Sequence, residues 1–147
     1  MPTLHTVLTD PAASGIYRVP VRLSVTTLAR RVAAADLRLA LLAGSAITDK
    51  GTFLRAAADA FAFPPYFGRN WDAFADCLTD LSWLSASGYA VLYDNPAPLI
   101  RQAPEDWAIA TEIFGDAAER WRSAGVPFVV LLRRSAGLTP TVPLLDD

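Results

Sequence analysis

Apolar residues follow two rhythms along this chain: short, almost continuous runs, and stretches in which they recur every three or four positions. The runs are Leu37 to Leu42, interrupted only by Arg38, Tyr89 to Tyr93 and Phe128 to Leu132. Runs of this length suit strands buried on both faces, the condition of a parallel sheet, although periodicity alone does not separate them from a buried helix. All three are read as strands. The helical rhythm marks four further segments. Ser24 is placed to cap a short helix carrying Val25, Leu28, Ala29 and Val32. Asp49 precedes a stretch in which Phe53, Leu54, Ala57 and Phe61 line one side, and which must stop before Pro64-Pro65. Asn70 is a good cap for a helix from about Trp71 to Leu81. Trp107, Ala110, Ile113, Phe114, Ala117, Trp121 and Ala124 outline a long helix, with Gly125 as its stop. Asn95 to Gln102 has room for one more short helical turn, and Ile16 to Leu23 is compatible with extended chain.

Strands that alternate with helices need crossover connections, so the pattern predicts an α/β fold: a three-stranded parallel sheet packed with helices. Residues 34–135 are expected to form this domain. Residues 1–33 read as an N-terminal extension, a loose lead-in with a candidate strand and short helix, because Pro2, Pro11, Ser14 and Gly15 interrupt any rhythm at its start. Residues 136–147, with Pro140 and Pro143, read as a loose tail.

Composition narrows the class. A chain of 147 residues with 52% hydrophobic and 19% charged side chains suits one folded domain with a sizeable core. The apolar runs are too short to span a bilayer, and the N-terminus lacks the basic region and apolar stretch of a signal peptide, so a cytoplasmic, membrane-free protein is expected. The lone Cys77 cannot form an internal disulfide or supply a cysteine-built zinc site. Net charge is −2, unevenly spread: residues 1–33 carry four arginines and one aspartate, while residues 34–147 carry nine basic and fourteen acidic side chains. An acidic body repels a phosphate backbone and favours a basic partner over nucleic acid.

Turning the helix that follows Asn70 by about 100° per residue puts Trp71, Phe74, Ala75, Leu78 and Leu81 on one side. Asp72, Asp76 and Asp80 fall together on the opposite side, with no basic residue among them. A solvated face on an amphipathic helix has the same look. Yet the row costs the isolated fold something, since like charges four apart repel by roughly 0.2–0.5 kcal/mol and Asp80 stands at the unfavourable end of the helix dipole. A cationic cleft outside the chain would suit it. Before the helix, Tyr66 and Phe67 adjoin Gly68 on a loop. One aromatic is expected to fill core and the other to reach a partner.

The stretch Pro64 to Leu81, PPYFGRNWDAFADCLTDL, closely resembles the signature of the barstar family. The resemblance rests on the aromatic pair before glycine, the Asn-x-Asp-Ala step and the Asp-Cys-Leu-Thr sequence, and extends in less detail over Asp36 to Arg134. It implies a barstar-like fold and an intracellular inhibitor of a barnase-type ribonuclease. Tyr66, Phe67, Gly68, Asn70, Asp72, Asp76 and Asp80 would form the partner-binding site, with Asp72 and Asp76 facing the nuclease's arginines and catalytic histidine, Tyr66 over that histidine, and Asp76 foremost. Arg69, Ala75 and Arg120 depart from the family's best-known member, which carries an acid, a tryptophan and an acid at those places. The alternative is an immunity or regulatory module of the same fold acting on a partner that is not a ribonuclease: a nuclease toxin or other toxin domain delivered by neighbours, another basic protein that it regulates, or a scaffold it joins.

An enzyme is not expected. The only histidine, His5, lies in the lead-in; no serine sits in a nucleophile elbow; and Cys77 has no evident base. The aspartate row lacks the glycine turn of a calcium loop, and no glycine-rich phosphate loop follows a strand, so neither metal nor cofactor is expected. The expected form is a monomer.

Overall fold

A computed structural model describes residues 2–147. Its elements in chain order are α1 (Leu4–Thr9), β1 (Gly15–Val19), α2 (Val25–Ala34), β2 (Arg38–Ala43), α3 (Lys50–Ala60), α4 (Trp71–Asp80), β3 (Tyr89–Asp94), α5 (Ala97–Gln102), α6 (Pro104–Ser123) and β4 (Phe128–Arg133), with short 3-10 turns at Pro11–Ala13 and Gly44–Ala46. The caps fall where the side chains foretell them. Ser24 accepts from the Thr27 amide, Asp49 and Thr52 cap each other reciprocally, and Asn70 accepts from the Ala73 amide. Leu81 lies just outside α4, in the left-handed conformation that ends it, and Gly125 does the same after α6 with φ of 74°.

The sheet is wholly parallel, and it has four strands, ordered β1-β4-β3-β2, where three are expected from the apolar runs. The additional strand comes from the N-terminal segment. β1 carries only a mixed pattern because it is half-buried along most of its length; its place is set by pairing with β4, Gly15 opposite Val129 through Val19 opposite Arg133.

Both faces of the sheet are covered. Ala40, Leu42, Val91, Tyr93, Val130 and Leu132 point to one side and pack with Phe53 and Phe61 of α3 and its cap, Phe74 and Leu78 of α4, and Phe114 of α6. Ala90, Leu92, Val129 and Leu131 point to the other, where they meet Leu4, Val7 and Leu8 of α1, Leu28 and Val32 of α2, and Leu145. This second core corrects the expectation of a loose lead-in and a loose tail. Leu4 and Val7 are completely buried, and so is Leu28, because a parallel sheet needs apolar cover on both sides and the segment before β2 supplies it. The tail is tied in too: the Arg18 amide donates to the Pro143 carbonyl, the Leu145 amide to the Arg18 carbonyl, and the Leu4 amide to the Asp146 carbonyl.

Candidate protein-binding face

The loop into α4 is assembled by aromatic packing. Phe63 stacks on Phe61 with ring centres 5.6 Å apart, and Phe67 sits 4.8 Å from Phe63. The Trp83 indole N–H donates to the Phe61 carbonyl at 3.0 Å. The Phe67 amide closes a turn onto the Pro64 carbonyl, which turns Phe67 inward and leaves Tyr66 outside, 73% exposed. Of the aromatic pair, then, Phe67 packs half-buried against the core and Tyr66 is presented. Arg69 completes the turn with a left-handed φ of 54°, a conformation that L side chains adopt at a cost. Gly68 and Asn70 are exposed, and Asn70 is committed to the helix: its side-chain oxygen accepts from the Ala73 amide at 2.8 Å.

The inner side of α4 is held firmly. Phe74 and Leu78 are fully buried, and Phe74 meets Phe53 and Phe114 edge-on at 5.3 and 5.7 Å. Trp71 lies 5.5 Å from Phe53. At the far end the Trp121 indole of α6 donates to the Leu78 carbonyl at 3.0 Å, giving a partner to one of the last carbonyls of the helix. Cys77 is buried, and burial, with Asp76 and Asp80 nearby, pushes its thiol up, away from the reactive thiolate.

The outer side carries Asp72, Asp76 and Asp80, all exposed. One turn apart each time, they rise about 6 Å per step along the axis. None of them takes part in an ion pair among the described residues, where the pairs are Arg31 with Asp147, Arg122 with Glu119, and Arg133 and Arg134 with Asp94. The structure thus gathers Tyr66, Gly68, Asn70 and the three aspartates on one exposed stretch, loop and helix together, and places Phe67 beneath it. Of the positions where the chain departs from the signature, Arg69 and Arg120 are exposed and Ala75 is half-buried.

A second acidic centre escapes sequence reading. Asp94 ends β3 beside Arg133, which ends β4, and both side chains are largely covered, at 16% and 13% exposure. Arg133 donates to Asp94 at 3.0 Å and to the carbonyls of Leu23 and Val21; Arg134 donates to both Asp94 oxygens, at 3.1 and 2.7 Å. Hydrogen bonds from Arg134, and then from Arg133, hold the Asp94 carboxyl below the usual carboxylate range against the opposing effect of burial. The arginine pair in the sequence is the only local hint of this clamp; its acid lies 39 residues away from Arg133. His5, on the exposed side of α1, has no part in either centre.

Among the described residues no three histidine, cysteine or acidic side chains gather as a metal site, and no helix is long and apolar enough to cross a membrane. Compared with known families, the chain matches the model described as Barstar (barnase inhibitor) over residues 37–133. The match opens just before β2, closes at the end of β4 and contains the whole of the loop and helix described above. No curated protein matches the chain.

Proposed function

The chain belongs to the barstar family, and from that premise we propose that it inhibits a ribonuclease inside the cell by setting α4 into the enzyme's basic active site. A nuclease must gather cations in a cleft to hold RNA phosphates, and those cations are costly to leave unpaired once water is excluded. A row of carboxylates fixed on a helix competes for them directly. The observation that carries the proposal is that Asp72, Asp76 and Asp80 stand exposed and that, among the described residues, no cation is paired to them.

The surrounding residues divide the work. Tyr66 offers a broad, rigid aromatic surface at little entropic cost, suited to packing over a catalytic side chain. Gly68 lets the loop backbone come close, and Asn70 keeps the first turn of α4 formed. Packing of Phe74, Leu78 and Trp121 beneath holds the row in place before the partner arrives, so less order is lost on binding. Opposite charge on the two partners speeds their encounter, and added salt should slow it.

Capture of partners from the source cells, followed by an RNA-cleavage assay on what is captured, tests the reading. An RNA-cleaving protein whose activity falls on adding the chain is expected; a captured partner without such activity points to the immunity or regulatory role on another target. Asp76→Ala should weaken the complex by about 2–5 kcal/mol, the usual cost of truncating one member of a buried charge pair at an interface. Equal binding by parent and Asp76→Ala chains would remove α4 from the site. The three departures, Arg69, Ala75 and Arg120, bear on which enzyme is bound, since each reduces negative charge or contact area relative to the family's best-known member.

A further inference from the structure

The two edges of the sheet are treated differently. At the β1 edge, the amide and carbonyl of Arg18 are both taken by the tail, through Pro143 and Leu145, and Leu144 forms a parallel bridge to Arg18. No tail lies along β2. The Arg38 amide donates to the Gly88 carbonyl, so Arg38, Ala40 and Leu42 direct their backbone groups toward β3. Leu39, Leu41 and Ala43 therefore direct theirs outward, and among the described residues no backbone or side-chain bond outside the β2–β3 pairing reaches them. Proteins ordinarily cover or charge such an edge. This one instead carries Leu41, 45% exposed, at its middle.

Beside the edge runs a groove lined by Leu41, Ala43, Ile47 and Ala56, with Arg55 and Asp59 of α3 at its rim. Arg55 and Asp59 are one helical turn apart, exposed, and not paired with each other. We infer that β2 is the contact surface for a second copy of this chain, the two β2 strands pairing antiparallel about a two-fold axis at Leu41.

The pattern is self-complementary in that register and needs no other partner. With Leu41 opposite Leu41 of the second copy, Leu39 faces Ala43 and Ala43 faces Leu39. All three pairs bring together residues whose amides and carbonyls point outward, so each pair exchanges two hydrogen bonds. The exposed Leu41 side chains meet on one side of the joined sheet. A two-fold axis also makes the neighbouring α3 helices antiparallel, which sets Arg55 of each copy toward Asp59 of the other. An extended peptide would satisfy the backbone, but it would not explain an arginine and an aspartate held one turn apart at the rim. The aspartates of α4 do not line the groove, so the pairing leaves them free and gives an assembly with two acidic rows.

Sedimentation equilibrium on the full chain, up to about 1 mM, should require a dimer; a monomer throughout overturns the inference. Leu41→Lys puts like charges opposite one another and should reduce association by about tenfold or more. Arg55→Asp should weaken it, and Arg55→Asp with Asp59→Arg should restore it. Leu41→Cys should cross-link on mild oxidation, since opposed residues in a hydrogen-bonded antiparallel pair lie about 5.5 Å apart between Cα atoms, within disulfide reach. Leu144→Cys, at the covered edge, should not; Cys77 is buried and is the only native thiol. A dimer indifferent to Leu41→Lys and without the Leu41→Cys cross-link would place the contact elsewhere. A monomer whose hold on its captured partner is lost in Leu41→Lys would assign the edge to that partner. Either result overturns the pairing of copies.

Discussion

Asp94 and the aspartates of α4 are the same side chain in opposite circumstances. Asp94 is largely covered and takes hydrogen bonds from two arginines at the point where β3 and β4 end. Asp72, Asp76 and Asp80 stand in water on a helix whose other side is packed with Phe74 and Leu78. The first is neutralised within the chain and joins the sheet to the segment around Val21 and Leu23 through Arg133. The others leave their charge unanswered. The difference teaches where stability and binding reside: a carboxylate that has spent its field on its own arginines has little left for a partner, and one that has not is mildly costly to the fold.

Breaking the clamp should have the larger effect. Asp94→Ala strands Arg133 with no anion in a largely covered place and should cost about 3 kcal/mol in urea unfolding, against no more than about 0.5 kcal/mol for Asp76→Ala. Equal losses at the two positions would mean that the row, too, is part of the fold's own structure. Acid sharpens the contrast. Because the Asp94 carboxyl is held below its ordinary range in the folded protein, it contributes stability above the unfolded carboxylate value, and that contribution is lost as pH falls through the folded one. Asp94→Asn should therefore flatten the acid limb of a stability-against-pH curve. It should not abolish it, since Asp49, held low by the Thr52 bonds of its cap, has the same sign. An unchanged limb would show that the clamp is not what acid breaks. The smallest effect is expected at Asp80. It is the last residue of α4, where a negative charge opposes the helix dipole and repels Asp76, so Asp80→Asn should raise stability by about 0.3 kcal/mol, seen as a small rise in the urea midpoint.

Much of the architecture from α2 onward could be read from residues alone. The three apolar runs became β2, β3 and β4, and the Ser24, Asp49 and Asn70 caps became helix starts. Each depends on neighbours within a turn or two of chain. β1 was harder, because an edge strand reading Gly15–Val19 has no apolar run to announce it, and α1 is only six residues long. Leu4, Val7 and Leu8 do stand at helical spacing, a signal that the nearby prolines obscured. In the site, the exposed side of the acidic helix followed from a helical wheel, while the choice between Tyr66 and Phe67 as the buried ring waited on Phe63 and Trp83, which pack from before and after the loop.

By itself the sequence determined the helices from α2 onward, the caps of α2, α3 and α4, and the fact that Asp72, Asp76 and Asp80 share one side, because all of these are set by a period of 3.6 residues and by bonds across a single turn. Only the tertiary structure decided that the three lack an arginine while Asp94 has two, that residues before β2 complete the second core, and that β2 rather than β1 is left open. Those outcomes depend on which distant segments come to lie side by side, and no local period carries that information.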